Sequence, residues 1–318
     1  MTRVAVLDDY QRVAERMADW GSLPEGTEVV FFHDHLAETE ALAERLRDFD
    51  VVVAMRERTA FPRALLGRLR RLRLLVTTGM RNAAIDLDAA AELGITVTGT
   101  DGIGTSTAEL TWALILALLR HVPEEDAAIR AGGWQHTVGV DLAGRTLGVI
   151  GLGRIGRQVA AIGRAFGMAV TAWSQHLTEE AARAAGARRL DKLDLLAGAD
   201  VVTVHLVLSE RTRGLIGAAE LEAMKPTAYL VNTSRGPIVD ERALVAALRS
   251  GRIAGAALDV YETEPLPLDH PLRTAPNTVL TPHLGYVTEA GYRVFYGQAV
   301  EDIAAYLSGA PIRVLTRR

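Results

Sequence analysis

Thr146-Leu147-Gly148-Val149-Ile150-Gly151-Leu152-Gly153-Arg154-Ile155-Gly156 is the stretch from which the rest of the chain can be read. Its first five residues form an apolar strand run, its last six spell G-x-G-x-x-G, and a helical pattern follows directly. Glycine at 151 permits a tight turn, glycine at 153 lets the backbone approach an anion, and glycine at 156 lets the helix lie close to the strand. A helix starting there aims its free N–H groups at that anion. The combination predicts a dinucleotide-binding unit, with Gly151, Gly153, Arg154, Ile155 and Gly156 as contacts.

Outward from this motif, further strand patterns recur at 169–173, 201–205, 228–232, 254–259 and around Val279. An earlier series stands at 4–7, 29–32, 51–54, 74–76 and 95–97, separated by stretches rich in Ala, Arg and Glu. These runs are too apolar for a sheet with one wet face, so parallel sheets covered by helices on both sides follow. The turn-rich segment 98–104 interrupts the alternation and leads into a helix over 105–120, which marks a crossing from one α/β unit to the next. Beyond Tyr286 the pattern is helical to about residue 307, with a last strand at 313–315. The first unit is short of covering helices, so the chain is expected to cross back and pack this helix there.

At 318 residues the chain exceeds one typical core, and with 49% hydrophobic and 23% charged residues it has the material for two. A net charge of -4 leaves no broad basic field, which argues against a nucleic-acid partner. Cysteine is absent, excluding disulfides, thiolate nucleophiles and Cys-ligated metals and fitting a reducing compartment. The first residues lack the basic and apolar regions of a signal peptide, and the apolar run 110–119 is too short to span a bilayer. The expectation is a cytoplasmic protein with no membrane partner and no metal. The basic run 68–73 reads as a solvated helix face. The run 110–119, with Trp112, carries large apolar side chains on more than one face, which suggests burial against a second subunit in a homodimer.

Polar signals close the later strands: Asn232-Thr233-Ser234-Arg235-Gly236, Asp259-Val260-Tyr261-Glu262-Thr263-Glu264-Pro265 and Thr281-Pro282-His283-Leu284-Gly285. Strand ends at a switch point of an open parallel sheet are where ligands bind. An arginine grips a carboxylate in a bidentate fork, a histidine titrates near working pH, and a carboxylate beside it favours and orients the imidazolium. That set suits reduction of a 2-oxo acid. The strand that should end in an acidic ribose contact ends instead in Ser174-Gln175-His176, with no arginine nearer than Arg183, so NAD and NADP both stay open.

The fingerprint at 151–156, His205-Leu206, Thr212-Arg213-Gly214-Leu215-Ile216 and the strand-end signals, in this order, make nearly the whole chain resemble the D-isomer-specific 2-hydroxyacid dehydrogenase family, the group around D-3-phosphoglycerate dehydrogenase. The resemblance implies an α/β fold of two doubly wound parallel-sheet domains. A Rossmann cofactor domain (101–286) would be inserted in a flavodoxin-like substrate domain (1–100 and 287–318). It implies an oxidoreductase moving hydride between NAD(P)H and C2 of a small 2-oxo or D-2-hydroxy acid. Arg235 would orient the substrate, His283 would be the acid/base, and Glu264, placed directly before the proline, would be its partner rather than Glu262.

By the same resemblance Ser174, Thr233 and Asp259 would contact the cofactor, as would a threonine at 105 or 107, and Gly79, Met80 and Arg81 would join Arg235 at the substrate. The substrate loop reads Thr77-Thr78-Gly79-Met80-Arg81-Asn82-Ala83-Ala84, where the family has a serine-x-glycine-valine-glycine-x-aspartate character. Arg56 and Arg58 either meet an extra anionic group on the substrate or are solvated charges; His205 reads as a structural residue or a liner of the cofactor pocket. The alternative function is a nicotinamide-sensing, co-repressor-like binding module. It accounts for the fingerprint and the apolar helix but gives no reason for Arg235, Glu264 and His283.

Overall fold

The protein, as a computed structural model, is described over residues 1–316. The chain forms two compact units, Met1–Ile103 with Val287–Arg318, and Gly104–Tyr286. Residues 317 and 318, where the expected second segment of the substrate domain ends, lie outside the described residues.

In the first unit, strands β1 (Thr2–Val6), β2 (Thr27–Phe31), β3 (Val51–Ala54), β4 (Leu74–Thr77) and β5 (Thr96–Gly99) form a parallel sheet in the order β2-β1-β3-β4-β5. The central strands are buried along their whole length, as their unbroken apolar runs require. The C-terminal helix, Glu289–Leu307, packs on this unit and buries Tyr292, Phe295, Tyr296, Ala299 and Ile303 at helical spacing. The tail after it reaches the outer edge of β5. Gly99 donates its N–H to the Arg313 carbonyl (3.1 Å) and Leu315 donates to that of Val97 (2.8 Å). A single antiparallel bridge, Thr98 to Val314, stands where a strand over 313–315 was expected.

The basic run 68–73 is not a helix face. The short helix Arg63–Leu66 stops at Gly67, and the chain continues in turns that bury Leu69 and Leu72. Arg68 then pairs with Glu40, and Arg71 with Asp50 at 3.0 Å. Burial at three-residue intervals suits tight turns rather than a 3.6-residue helix.

The second unit has a seven-stranded parallel sheet, ordered β12-β11-β10-β9-β6-β7-β8. Its strands are β6 (Thr146–Ile150), β7 (Ala169–Trp173), β8 (Arg188–Arg189), β9 (Val201–Val204), β10 (Tyr229–Asn232), β11 (Gly255–Leu258) and β12 (Thr278–Leu280). The winding reverses between β6 and β9, so the fingerprint loop after β6 opens at the switch point. β8 escaped the sequence reading because it is two arginines with no apolar run.

The helix Ser106–Leu119 packs on the fingerprint helix Arg154–Ala165 and on β10, β11 and β12. Trp112 donates its indole N–H to the Val159 carbonyl (3.2 Å) and lies against Phe166 with ring centres 5.0 Å apart. Trp112, Leu114, Ile115, Leu118 and Leu119 are thus buried within the helix's own unit, whereas Leu110 and Leu116 are half-buried and Ala113 is exposed, so the helix is not covered on every face. Leu147, fully buried in this core, is a direct test of the packing. Leu147→Ala is expected to cost about 2–5 kcal/mol in denaturant unfolding of the whole chain; a loss below about 0.5 kcal/mol would contradict the packing described.

Candidate active site

The second unit sets its functional side chains at the carboxyl ends of adjacent strands. Asn232 pairs with Leu258, and Leu258 with Leu280, so the loops after β10, β11 and β12 leave the sheet side by side. Buried Asn232 shapes the first of these loops. Its side chain accepts from Ser234 N–H (3.0 Å) and donates to the Arg235 carbonyl (3.0 Å), a local turn bond that short amide side chains make readily. Gly236 then lies so close to Tyr261 that a Cβ there would strike the Tyr261 carbonyl, locking the Arg235 loop to the next one.

In that next loop Glu264 is held by its own backbone: Tyr261 N–H donates to one carboxylate oxygen at 2.9 Å. The other oxygen accepts from His283 Nδ1 at 2.6 Å, with both side chains partly exposed. Glu262 is held differently, its N–H donating to buried Glu241 at 2.6 Å. Between the two glutamates, the geometry brings Glu264 to the histidine.

His283 itself sits at φ 55, a left-handed conformation uncommon for a side-chain-bearing residue. What keeps it there is Asp259, whose fully buried carboxylate accepts from Thr281 Oγ1 (2.6 Å), Leu284 N–H (2.7 Å) and Gly285 N–H (2.8 Å). Burial pushes the Asp259 carboxyl up, while these bonds and the nearby His283 charge pull it down. Thr107, one of the two threonines under consideration, donates to the Gly285 carbonyl at 2.9 Å and so fastens the same loop from the helix below. Thr111 donates to the Thr107 carbonyl (2.7 Å) and meets Thr233 Oγ1 at 2.8 Å. Asn232, Thr107, Thr111 and Glu241 were missed or left undecided in the sequence because only folding shows what they hold.

The fingerprint loop fits a dinucleotide. Gly151 is at φ 101, a Cβ on Gly156 would strike the Gly151 carbonyl, and one on Gly153 would meet nothing within 4 Å, leaving that backbone open to a ligand. Gly153 caps the helix Arg154–Ala165 without a side-chain bond and the first turn holds no acidic residue, so its N–H donors suit a pyrophosphate. Ser174, just past β7, accepts from Leu152 N–H at 3.0 Å.

The first unit places Gly79, Met80 and Arg81 just after β4. Gly79 is buried at φ 92 with its N–H on Thr100 Oγ1 (2.9 Å), whereas Met80 and Arg81 are exposed. The Arg56 guanidinium lies over Gly79 and donates to the Thr78 carbonyl at 3.2 Å. Arg58 donates to the Asp8 carbonyl (2.6 Å) and stacks 4.6 Å over the Tyr10 ring, a structural post rather than a solvated charge.

Known proteins resemble this chain over most of its length. Residues 112–285 match the NAD binding domain of the D-isomer specific 2-hydroxyacid dehydrogenases. The chain is 45% identical over 255 residues to a glyoxylate reductase of Aeropyrum pernix, covering 77% of this chain and 76% of that one. It is 35% identical over 305 residues to a D-3-phosphoglycerate dehydrogenase of Bacillus subtilis, covering 94% of this chain and 57% of that longer protein. The crystal structure of a phosphoglycerate oxidoreductase from Vibrio cholerae superposes with a TM-score of 0.93 at 38% identity, covering 98% of this chain and 100% of that one. These likenesses set the chain among the NAD(P)-dependent oxidoreductases. Within them it belongs to the D-isomer specific 2-hydroxyacid dehydrogenase family.

His205, at the end of β9, shares a hydrogen bond with Thr203 Oγ1 at 2.8 Å, and desolvation pulls its pKa down to about 3. It is neutral at working pH and no proton donor. Its folded pKa lies below the ordinary 6.5, so an unfolded chain takes the proton first, and His205 removes stability as pH falls from about 6.5 towards 3. An NMR titration should show no protonation of this ring above about pH 4; a midpoint near 6.5 would contradict the desolvation described.

Proposed function

We propose that this protein reduces a small 2-oxo acid to the D-2-hydroxy acid, and that Arg235, Glu264 and His283 carry the reaction. The observation behind this reading is the 2.6 Å bond from His283 Nδ1 to Glu264, formed one strand away from the Glu264 loop and two from the Arg235 loop. The residues Gly151, Gly153, Arg154, Ile155 and Gly156, with Ser174, Thr233 and Asp259, would hold the nicotinamide cofactor, which supplies the hydride that goes to C2. Arg235 takes the substrate carboxylate through its planar fork. With Nδ1 committed to Glu264, His283 delivers its proton from Nε2 to the substrate oxygen as the carbonyl becomes a hydroxyl. Glu264 holds the imidazole turned the right way until that moment.

The first unit is the substrate domain in this reading, and Gly79, Met80 and Arg81 contribute contacts there. Because Gly79 N–H is bound to Thr100, the contacts come from Met80 and Arg81 more than from that N–H. The 45% identity to a glyoxylate reductase favours a small acid such as glyoxylate over phosphoglycerate, and the altered loop supports this. We also place the protein in the cytoplasm. No helix among the described residues is long and apolar enough to cross a membrane, and the chain has no cysteine. We further propose a homodimer, now through a different surface: the helix Val122–Arg130 buries no residue, and Val122, Ile129, Trp134 and Val138 stand exposed on it and just beyond.

His283→Ala should lower the turnover number with glyoxylate by about 10²–10⁴-fold while the cofactor dissociation constant changes less than about twofold; unchanged turnover would sink the assignment. In Glu264→Gln the imidazole loses the carboxylate that accepts from Nδ1, so the turnover number should fall while the cofactor dissociation constant changes less than about twofold. An unchanged turnover number would remove Glu264 from the mechanism. Sedimentation at micromolar concentration should give a mass of twice 34.3 kDa, with Trp134→Asp shifting it towards one chain; a single-chain mass for the unaltered protein would exclude the dimer.

A further inference from the structure

The end of β7 lacks the carboxylate that binds ribose hydroxyls and repels a phosphate, yet the serine in its place is not idle. Ser174 Oγ accepts from Leu152 N–H at 3.0 Å, which uses one lone pair and leaves its one hydrogen to donate. Among the described residues that hydrogen meets no acceptor. A hydroxyl so fixed offers a donor, which suits a group made only of acceptors.

The opposite pole of the same residue carries a cation. Arg157, on the first turn of the fingerprint helix, reaches back to donate Nε to the Leu152 carbonyl at 3.3 Å. It is exposed, so its remaining guanidinium N–H groups face solvent. Arg183, the arginine the sequence brings to mind, lies instead on the helix Glu179–Ala184. Arg157 escapes a linear reading because it precedes β7 in the chain and returns to its end only through the fingerprint turn. The first turn of its helix holds no acidic residue, and Glu179, the first carboxylate after Ser174, lies 3.7 Å from Arg189.

We propose that Ser174 and Arg157 select NADPH over NADH by receiving the 2′-phosphate on the adenosine ribose. This rests on the reading that the fingerprint binds a nicotinamide dinucleotide, and it adds which one. A 2′-phosphate is an acceptor-only dianion; Ser174 donates to it, and the Arg157 guanidinium meets it with charge-assisted bonds. On NADH the same two groups meet a neutral hydroxyl, and the charge of Arg157 gains nothing.

The test is equilibrium binding on the whole chain without substrate, read by nicotinamide fluorescence for NADPH and NADH and by calorimetry for 2′,5′-ADP and 5′-ADP, which lack the reacting ring. NADPH should bind at least about tenfold tighter than NADH, and 2′,5′-ADP tighter than 5′-ADP by a similar factor. Arg157→Gln should erase most of both preferences while leaving NADH within about twofold. Ser174→Asp, which can still accept from Leu152 N–H, should reverse the preference in favour of NADH. Equal or tighter binding of NADH by the unaltered protein overturns the proposal, as does an NADPH preference that both variants retain. Failure of both dinucleotides to bind would instead overturn the reading of the fingerprint, and the proposal with it.

Discussion

The carboxylate of Asp259 is the constraint on which the candidate active site depends. It is removed from water, which is costly for a charge unless hydrogen bonds replace the lost solvent. The replacements all come from the segment that carries His283: a hydroxyl at 281 and the N–H groups at 284 and 285. Those bonds hold His283 in a backbone conformation it would otherwise leave, and conformations of that kind persist only where the surroundings over-determine them. The short bond to Glu264 is therefore a consequence of the anchor as well as of the pair itself.

Order in the sheet does the rest. Parallel pairing in register sets the ends of β10, β11 and β12 level with one another, so Arg235, Glu264 and His283 share one rim although 48 residues separate the first from the last. Each loop is then secured by a small local device: the Asn232 turn within the first, the close approach of Gly236 to Tyr261 between the first and second, and the Tyr261 hydroxyl, which donates to the carbonyls of Leu258 (3.2 Å) and Thr281 (3.0 Å). A site built on strand ends and tied down in this way is more rigid than loop residues alone would be.

Much of this was legible in the sequence, for physical reasons that differ by element. Buried parallel strands announce themselves as unbroken apolar runs, so the strands from β1 to β12 were readable to within a few residues, apart from β8, whose two arginines carry no such pattern. The fingerprint was legible because glycine is required at 151 by its positive φ and at 156 by the Gly151 carbonyl above it. The choice of Glu264 over Glu262 came from the family resemblance, through its place before a proline, and the structure gives it a bond to His283. The basic run at 68–73 misled because charge says nothing of backbone, and its buried leucines at three-residue intervals do. The apolar helix was expected to be buried all round, but the fingerprint helix and β10 to β12, distant in sequence, cover only part of it and leave Leu110 and Leu116 half-buried. Thr111 and Arg157 were illegible for the same reason, each acting on a segment far along the chain or across a turn, and for that reason too Thr107 could not be told from Thr105.

The first unit is assembled from both ends of the chain, residues up to Ile103 and those from Val287 onward, while the second is one continuous stretch. During synthesis the opening strands leave the ribosome with their apolar faces bare of the C-terminal helix that will bury Tyr292, Phe295 and Tyr296, and with the edge of β5 open until Leu315 arrives. The central unit can be complete before then, since domains fold as units during translation. The part of the protein begun first is thus the part finished last, and its exposed sheet edge is the stage at which a growing chain is most open to wrong association.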